Sequence, residues 1–324
     1  MPALRSLAFA AVLFGTVTAV QAQEKVWKHG MLEAKADSGI IGMVATRDFA
    51  TKRGLKIELT QIKAGATLMK ALIAGEIDSV DMGAAEEIVA AARGTGVRIV
   101  GCNWPGMPQV VLAKTSINTP QDLKGKTVAI SSPGSLPDLV FKGMLQEKHV
   151  PIAEVKLAPQ GADLDRYKSL ISGVTDAAIV SNEFVPVMPK DVHVLMSATD
   201  VVPKFLRLCI ATNANVLKDR RDELIKFVAA EMEAYKYAQT HPADAVKLAH
   251  EMTHTKADDK RAGFIVNQAL ENKQIDPSLA IPDDRIQWMQ ELFASANVIP
   301  KALPISEVVD KGVRDEAAKL AGKK

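Results

Sequence analysis

Two stretches of this chain repeat one pattern. "KAGATLMKALIAGEIDSVDM" runs from Lys63 to Met82, and "PQGADLDRYKSLISGVTDAAIV" runs from Pro159 to Val180. Both read Gly-Ala-x-Leu, then Leu-Ile-x-Gly-x-x-Asp. The first uses Gly65, Ala66, Leu68, Leu72, Ile73, Gly75 and Asp78; the second uses Gly161, Ala162, Leu164, Leu170, Ile171, Gly173 and Asp176, with two extra residues inside its helix. A β-rich run precedes each copy ("LKIELTQI", "AEVKLA"). A short helix with apolar spacing follows, stopped by a Gly in the left-handed role, and then a buried strand. Such βαβ units set their strands parallel and lay the helix on a sheet face. Two copies about a hundred residues apart predict an α/β chain of two similar lobes, each a mainly parallel sheet flanked by helices. The alternative is chance likeness between two generic units, since Leu and Gly fill these roles widely.

The rest of the chain fits two lobes. Its 324 residues exceed what one small core needs. "VRIVGCNWPGMPQVVLAKTS" reads as two strands around a Trp-Pro-Gly-Met-Pro turn, "DVHVLMS" and "KFLRLCIAT" as further strands, and the pattern is helical from Asn213 onward. The chain is expected to leave lobe 1 near Val110, build lobe 2 over 111–205, and return near Leu206, so that lobe 1 comprises 23–110 and 206–324. Two connecting segments make a hinge, and ligands in such sheets bind outside the carboxyl ends of the strands. That places the site in the cleft between the lobes.

The first residues stand apart from the fold. Arg5, the apolar run Leu7–Val20 and the small residues Val20 and Ala22 form a secretory signal pattern, cleaved after Ala22. The run is shorter than the roughly 20 apolar residues a membrane span needs. A mature chain from Gln23 is expected to be periplasmic. There Cys102 and Cys209 can pair, or remain as two buried thiols, since both lie in apolar runs. A net charge of +2 makes no case for nucleic acid as a partner.

Four stretches carry a family likeness: "DFATKRGLKIELTQIKAGATLMKALIAGEIDSVDMGAAEEIVAAARGTGVRIVG", "INTPQDLKGKTVAISSPGS", "YKSLISGVTDAAIVSNEF" and "THPADAVKLAHEM". In them the chain resembles the periplasmic solute-binding proteins of ABC importers, in the group that binds sulfonates, taurine, nitrate or thiamine-pyrimidine precursors. The resemblance implies a monomer of the two-lobed periplasmic-binding-protein fold, without catalysis or cofactor. Such a protein closes on a small molecule and delivers it to a membrane permease. The alternatives are a secreted enzyme, on this fold or with zinc, and a sensory module that reports occupancy to a membrane partner.

Candidate ligand-binding residues follow from the strand ends. "ISSPGSLPDLV" succeeds a strand and opens a helix, with Ser135 as cap and Pro137 in the first turn. Backbone N–H groups from Gly134 to Leu136, with the Ser131 and Ser132 hydroxyls, would suit a carboxylate, sulfonate or phosphate. Ala36, Asp37 and Ser38 form the opposite lip, with Ser38 as cap of the first helix, and Ala85 and Glu86 the floor. Asn103 and Trp104 offer an amide and a flat apolar wall; Asn182 and Glu183 end a strand of lobe 2. The bland reading of each is a capped helix, a rim charge or interlobe packing. A pocket for a bare anion should show Arg or Lys at strand ends, and here Lys35 and Arg166 are offset by Glu86 and Glu183. Two carboxylates suggest hydrogen-bond donors or an amine on the ligand.

One motif competes. His250, Glu251 and His254 spell H-E-x-x-H, the zinc-protease signature when it lies on a helix. Ala257 and Lys260 stand where the extended motif needs Gly and His, and Glu271 is the one downstream carboxylate considered as third ligand. Thr255 with Asp258 reads as a new N-cap, which would put His254 at a helix end, so no metal or catalytic residue is assigned.

Overall fold

The computed structural model describes residues 25–322; the expected signal segment and its cleavage point lie outside them. Among the described residues ten strands form two five-stranded sheets. The first sheet contains β1 (Lys25–Leu32), β2 (Leu55–Ile62), β3 (Ser79–Gly83), β4 (Arg98–Trp104) and β10 (Leu208–Thr212), in the order β2-β1-β3-β10-β4. The second contains β5 (Gln109–Lys114), β6 (Thr127–Ile130), β7 (Lys156–Pro159), β8 (Ala177–Ser181) and β9 (Val192–Ser197), in the order β7-β6-β8-β5-β9. The chain passes between sheets at 105–108 and again at 198–207. The Trp-Pro-Gly-Met-Pro turn therefore closes no hairpin, because β4 and β5 belong to different sheets. The strand containing residue 110, where the crossing was expected, lies whole in the second sheet.

The two sheets share one plan. In each, four strands run one way and the fourth in the row is reversed: β10 pairs antiparallel with β3 and β4, and β5 with β8 and β9. Each reversed strand is the first one the chain lays down after a crossing. Strands β3, β8 and β10 are buried along their whole length. Their near-continuous apolar runs are those of sheets covered on both faces.

The repeated units form as their spacing predicts. Helix Gly65–Ala74 is closed by Gly75 at φ 76°, and helix Asp163–Ile171 is followed by Gly173 at φ 79°. A residue with a Cβ pays a steric penalty in that left-handed conformation, so Gly ends each helix.

Helices from the C-terminal third complete both lobes. Helix Arg221–Thr240 covers the first sheet, stacking Phe227 on Trp27 with ring centroids 5.3 Å apart. Helix Asp283–Ser295 reaches the second lobe, where Leu292 lies against Gly143 of helix Leu136–Glu147. One apolar cluster runs from Ile88 and Ile99 through Val111, Val140 and Ile179 to Leu292, so the two lobes share part of their core. Cys102 and Cys209 form a disulfide between β4 and β10, settling the open choice. Among the described residues no helix is long and apolar enough to cross a membrane.

Close backbone packing fixes the lip after β1. The short helix Ser38–Ile41 presses on helix Pro242–Thr253. A Cβ on Gly39 would lie 2.7 Å from the Ala249 nitrogen and closer still to the Ala245 carbonyl oxygen. Backbone cannot give way as a side-chain tip can. Gly39→Ala is thus expected to cost about 3 kcal/mol, read as a lower urea midpoint at unchanged m-value. A midpoint within experimental error of the parent would show that the two helices do not touch this closely.

Candidate functional site

A cavity of about 600 Å³ opens between the sheets. Its walls are the loops after β1, β2 and β3 in one lobe and after β6, β7 and β8 in the other. Those are the carboxyl ends of parallel strands, where such folds hold ligands. Two further residues, Gln109 and Arg207, come from the amino ends of the reversed strands, which point the same way. Thr253, Thr255, Asp259 and Arg261 add a third wall from the C-terminal helices.

Eight candidate residues line this cavity: Ala36, Asp37, Ser38, Glu86, Ser131, Ser132, Ser135 and Glu183. Their local roles differ from expectation in two places. Asp37 rather than Ser38 precedes the first helix, and the Ser38 hydroxyl accepts from the Lys35 N–H at 2.8 Å. Ser135 does sit at the N-cap, but its hydroxyl turns back to donate to the Ser132 carbonyl at 2.7 Å.

The other five lie off the cavity. Ala85 is fully buried in helix Ala84–Ala92. Gly134 is exposed, and its N–H donates to the Asp138 carboxylate at 2.7 Å, so a side chain already uses one donor of the anion loop. Asn103 is fully buried and donates to Asp81 and Tyr235. Trp104 is also fully buried, beneath the Arg207 guanidinium at 4.0 Å from the ring centroid, so it is no cleft wall. Asn182 donates to Gln268 of helix Lys260–Glu271. Asn103 and Trp104 end β4 with their side chains inside the lobe, where Asp81, Tyr235 and Arg207 already engage them.

The lining residues not expected from the sequence include Asp81, Gln109, Asp163 and Arg207, besides the third wall. Asp81 and Arg207 had a signal, being charged residues inside apolar strands or at their ends ("DSVDMG", "KFLRLCIAT"). A charge there must be paired or poised to act.

The electrostatics divide the charged groups in two. Arg207 pairs with Asp37, both almost fully buried. Arg166 donates to the Ile179 carbonyl at 2.6 Å, and to the Gly161 carbonyl and Asp163. Burial pushes the Asp163 carboxyl up, but Arg166 and then Lys35 outweigh it and hold it below the usual range. In three other acids the neighbouring donors and cations do not outweigh burial. Burial raises Asp81, Glu86 and Glu183 to about 7 each. Behind them, burial drives Glu87 and Glu231 well above the carboxylate range and lowers His29 to about 3, so these core groups stay neutral.

The H-E-x-x-H stretch forms no zinc site. Helix Pro242–Thr253 ends before His254, whose φ of 53° is the left-handed C-cap conformation. The i, i+4 relation that aligns two imidazoles is therefore lost. His250 Nδ1 instead bonds the Thr255 hydroxyl at 3.0 Å, and Glu251 faces Lys247 at 3.9 Å on the exposed side. The next helix is capped by Asp259, which accepts from the Arg261 N–H, not by Thr255 with Asp258. Among the described residues no group of three or more His, Cys, Asp or Glu side chains is placed to hold a metal.

Comparison with known proteins adds the lineage. A family profile described as NMT1/THI5 like matches residues 35–245, more than half of the chain. The chain belongs to the NMT1/THI5-like family. No match is found among curated protein sequences. Among solved structures, this NMT1/THI5-like chain resembles the periplasmic aliphatic sulphonate-binding protein SsuA of Escherichia coli, with a TM-score of 0.69 at 18% identity over 88% of this chain and 92% of that one. The alkanesulfonate-binding SsuA of Xanthomonas axonopodis, bound to MOPS, gives 0.72 at 15% identity over 89% and 99%. The periplasmic nitrate-binding protein NrtA of Synechocystis gives 0.73 at 13% identity over 93% and 90%. At these identities the likeness establishes the fold, which is the two-lobed one.

Proposed function

We propose that the protein is the extracytoplasmic solute-binding component of an ABC importer. It holds a small organic molecule between its lobes and hands it to a membrane permease. The observation that carries this reading is the cavity itself. About 600 Å³ is walled by strand ends of both sheets, and two chain segments cross beside it. A ligand that touches both lobes stabilises the closed arrangement by its differential contacts, which is how a hinged protein reports occupancy. The sulphonate- and nitrate-binding neighbours support the transport role. The same reading makes the protein a binder without turnover, periplasmic once its leader is cleaved, and monomeric.

Native mass spectrometry of the protein from its own compartment tests this. One small organic molecule per chain, released unchanged on denaturation, is the expected result. Conversion of that molecule to a product by the purified protein would overturn the reading, as would failure to retain or rebind any solute.

A further inference from the structure

The charges around the cavity are unequal in a particular way. Seven acidic side chains line it against five basic ones. The bases are Lys35, Arg166, Arg207, Arg261 and the exposed Lys63, which forms no ion pair among the described residues. Arg166 is tied to Asp163, Arg207 to Asp37, and Arg261 to Asp259 at 2.6 Å, while the Lys35 ammonium lies 3.8 Å from Asp163. Asp81, Glu86 and Glu183 form no ion pair among the described residues. One oxygen of Asp81 takes the Tyr235 hydroxyl at 2.7 Å, but Asp81 Oδ1 is buried without a partner, and so is Glu86 Oε2. The surplus on the cavity wall is carboxylate.

Glu86 also occupies a place that an anion would otherwise take. Its carboxylate fits between two glycines: a Cβ on Gly65 would lie 2.6 Å from Oε1, and one on Gly83 would collide with Oε2 and lie 3.0 Å from the Leu136 Cβ. Glu86, from lobe 1, therefore sits against Leu136, the first residue of helix Leu136–Glu147 in lobe 2. Burial raises its pKa, and the Leu136 backbone, the Lys35 charge and the Gly83 backbone, in that order, draw it only part of the way back down. The helix end that would welcome a sulfonate or nitrate already faces a tethered carboxylate. A second anion there meets like charge in a site shielded from water.

Resting on the solute-binding reading above, we propose that the cleft selects solutes that carry a positively charged amine or amidine and no acid group, with Glu86 and Glu183 meeting that charge from opposite lobes. A bound cation favours the ionised carboxylates and so releases the protons they hold. With Glu86, Glu183 and Asp81 titrating near 7, such binding tightens as pH rises through neutrality and levels off above it. The groups facing Glu86 and Glu183 include Lys35, Asp37, Asp163 and Arg261, of which Asp37, Asp163 and Arg261 are internally paired.

The test is a panel of size-matched solutes on the intact protein, scored by thermal shift and then calorimetry. It holds amines without an acid group, acids without an amine (alkanesulfonates, carboxylates and nitrate), and neutral alcohols and amides. The expected outcome is that only amines raise the melting temperature. The best amine should bind roughly tenfold tighter at pH 8 than at pH 6, and Glu86→Gln and Glu183→Gln should each weaken it by about tenfold or more. Best binding by an acid, pH-independent binding of a neutral solute, or a panel in which no amine binds overturns the proposal. If native mass spectrometry still finds a retained solute, only the ligand class falls. If neither experiment finds one, the binding reading falls with it.

Discussion

Arg207→Met is expected to remove about 3–5 kcal/mol of folding stability. Arg207 is 3% exposed and Asp37 equally so; their ion pair lies inside the wall of the cleft. The guanidinium also stacks on Trp104 at 4.0 Å. Methionine keeps much of the stem and its packing but leaves the Asp37 carboxylate buried without its cation. One Asp37 oxygen already has no partner, so no neighbouring donor can take over. The loss comes mostly from that stranded charge, not from the attraction forgone, because desolvation nearly offsets the pair's own Coulomb energy. A double variant, Arg207→Met with Asp37→Asn, should therefore recover most of the stability. Urea unfolding of the two single variants and the double one gives the coupling directly. A single variant within 1 kcal/mol of the parent would mean that the pair is solvated and the cleft wall looser than described.

Reduction of the Cys102–Cys209 bond is expected to lower stability by about 2–5 kcal/mol. The bond closes a ring with a sequence separation of 107, which contains the entire second sheet. Opening so long a ring releases much chain entropy to the unfolded state, and a ring of about 100 residues lies at the upper end of the scale. Both sulfurs are buried, on neighbouring strands β4 and β10 at the foot of the two crossings. The bond thus ties together the segments on which the lobes hinge. Urea midpoints with and without a reductant, and for Cys102→Ala with Cys209→Ala, should fall together. Free thiols in the denatured, unreduced protein, with equal midpoints, would show that the bond is not formed in solution.

The sequence by itself determined the parts whose cause is local. The paired Gly75 and Gly173, the apolar spacing before them and the buried runs after them prescribe two βαβ units, because a left-handed helix stop and a period of 3.6 or 2 need no distant partner. The strand-end rule likewise brought Asp37, Ser131, Ser135, Glu86 and Glu183 to one region, since a loop after a parallel strand opens on the same edge whichever neighbour the strand has. The departure of His254 from its helix could be foreseen from the residues that follow it, though the new cap fell on Asp259.

What the tertiary structure alone decided is the partner of each charge and the direction of each reversed strand. Nothing near Arg207 or Gln109 in the chain says that β10 and β5 run backwards, yet that reversal puts their amino ends at the cleft. Nothing near Trp104 says that Arg207 covers it, yet that stacking removes it from the wall. Asp37 and Arg207 are 170 residues apart, and Asp81 and Tyr235 are 154 apart. A polar group inside a protein takes its chemistry from whatever replaces water around it. Those replacements arrive by folding from elsewhere in the chain, so the charge state of the cleft follows from the packed structure and not from any local pattern.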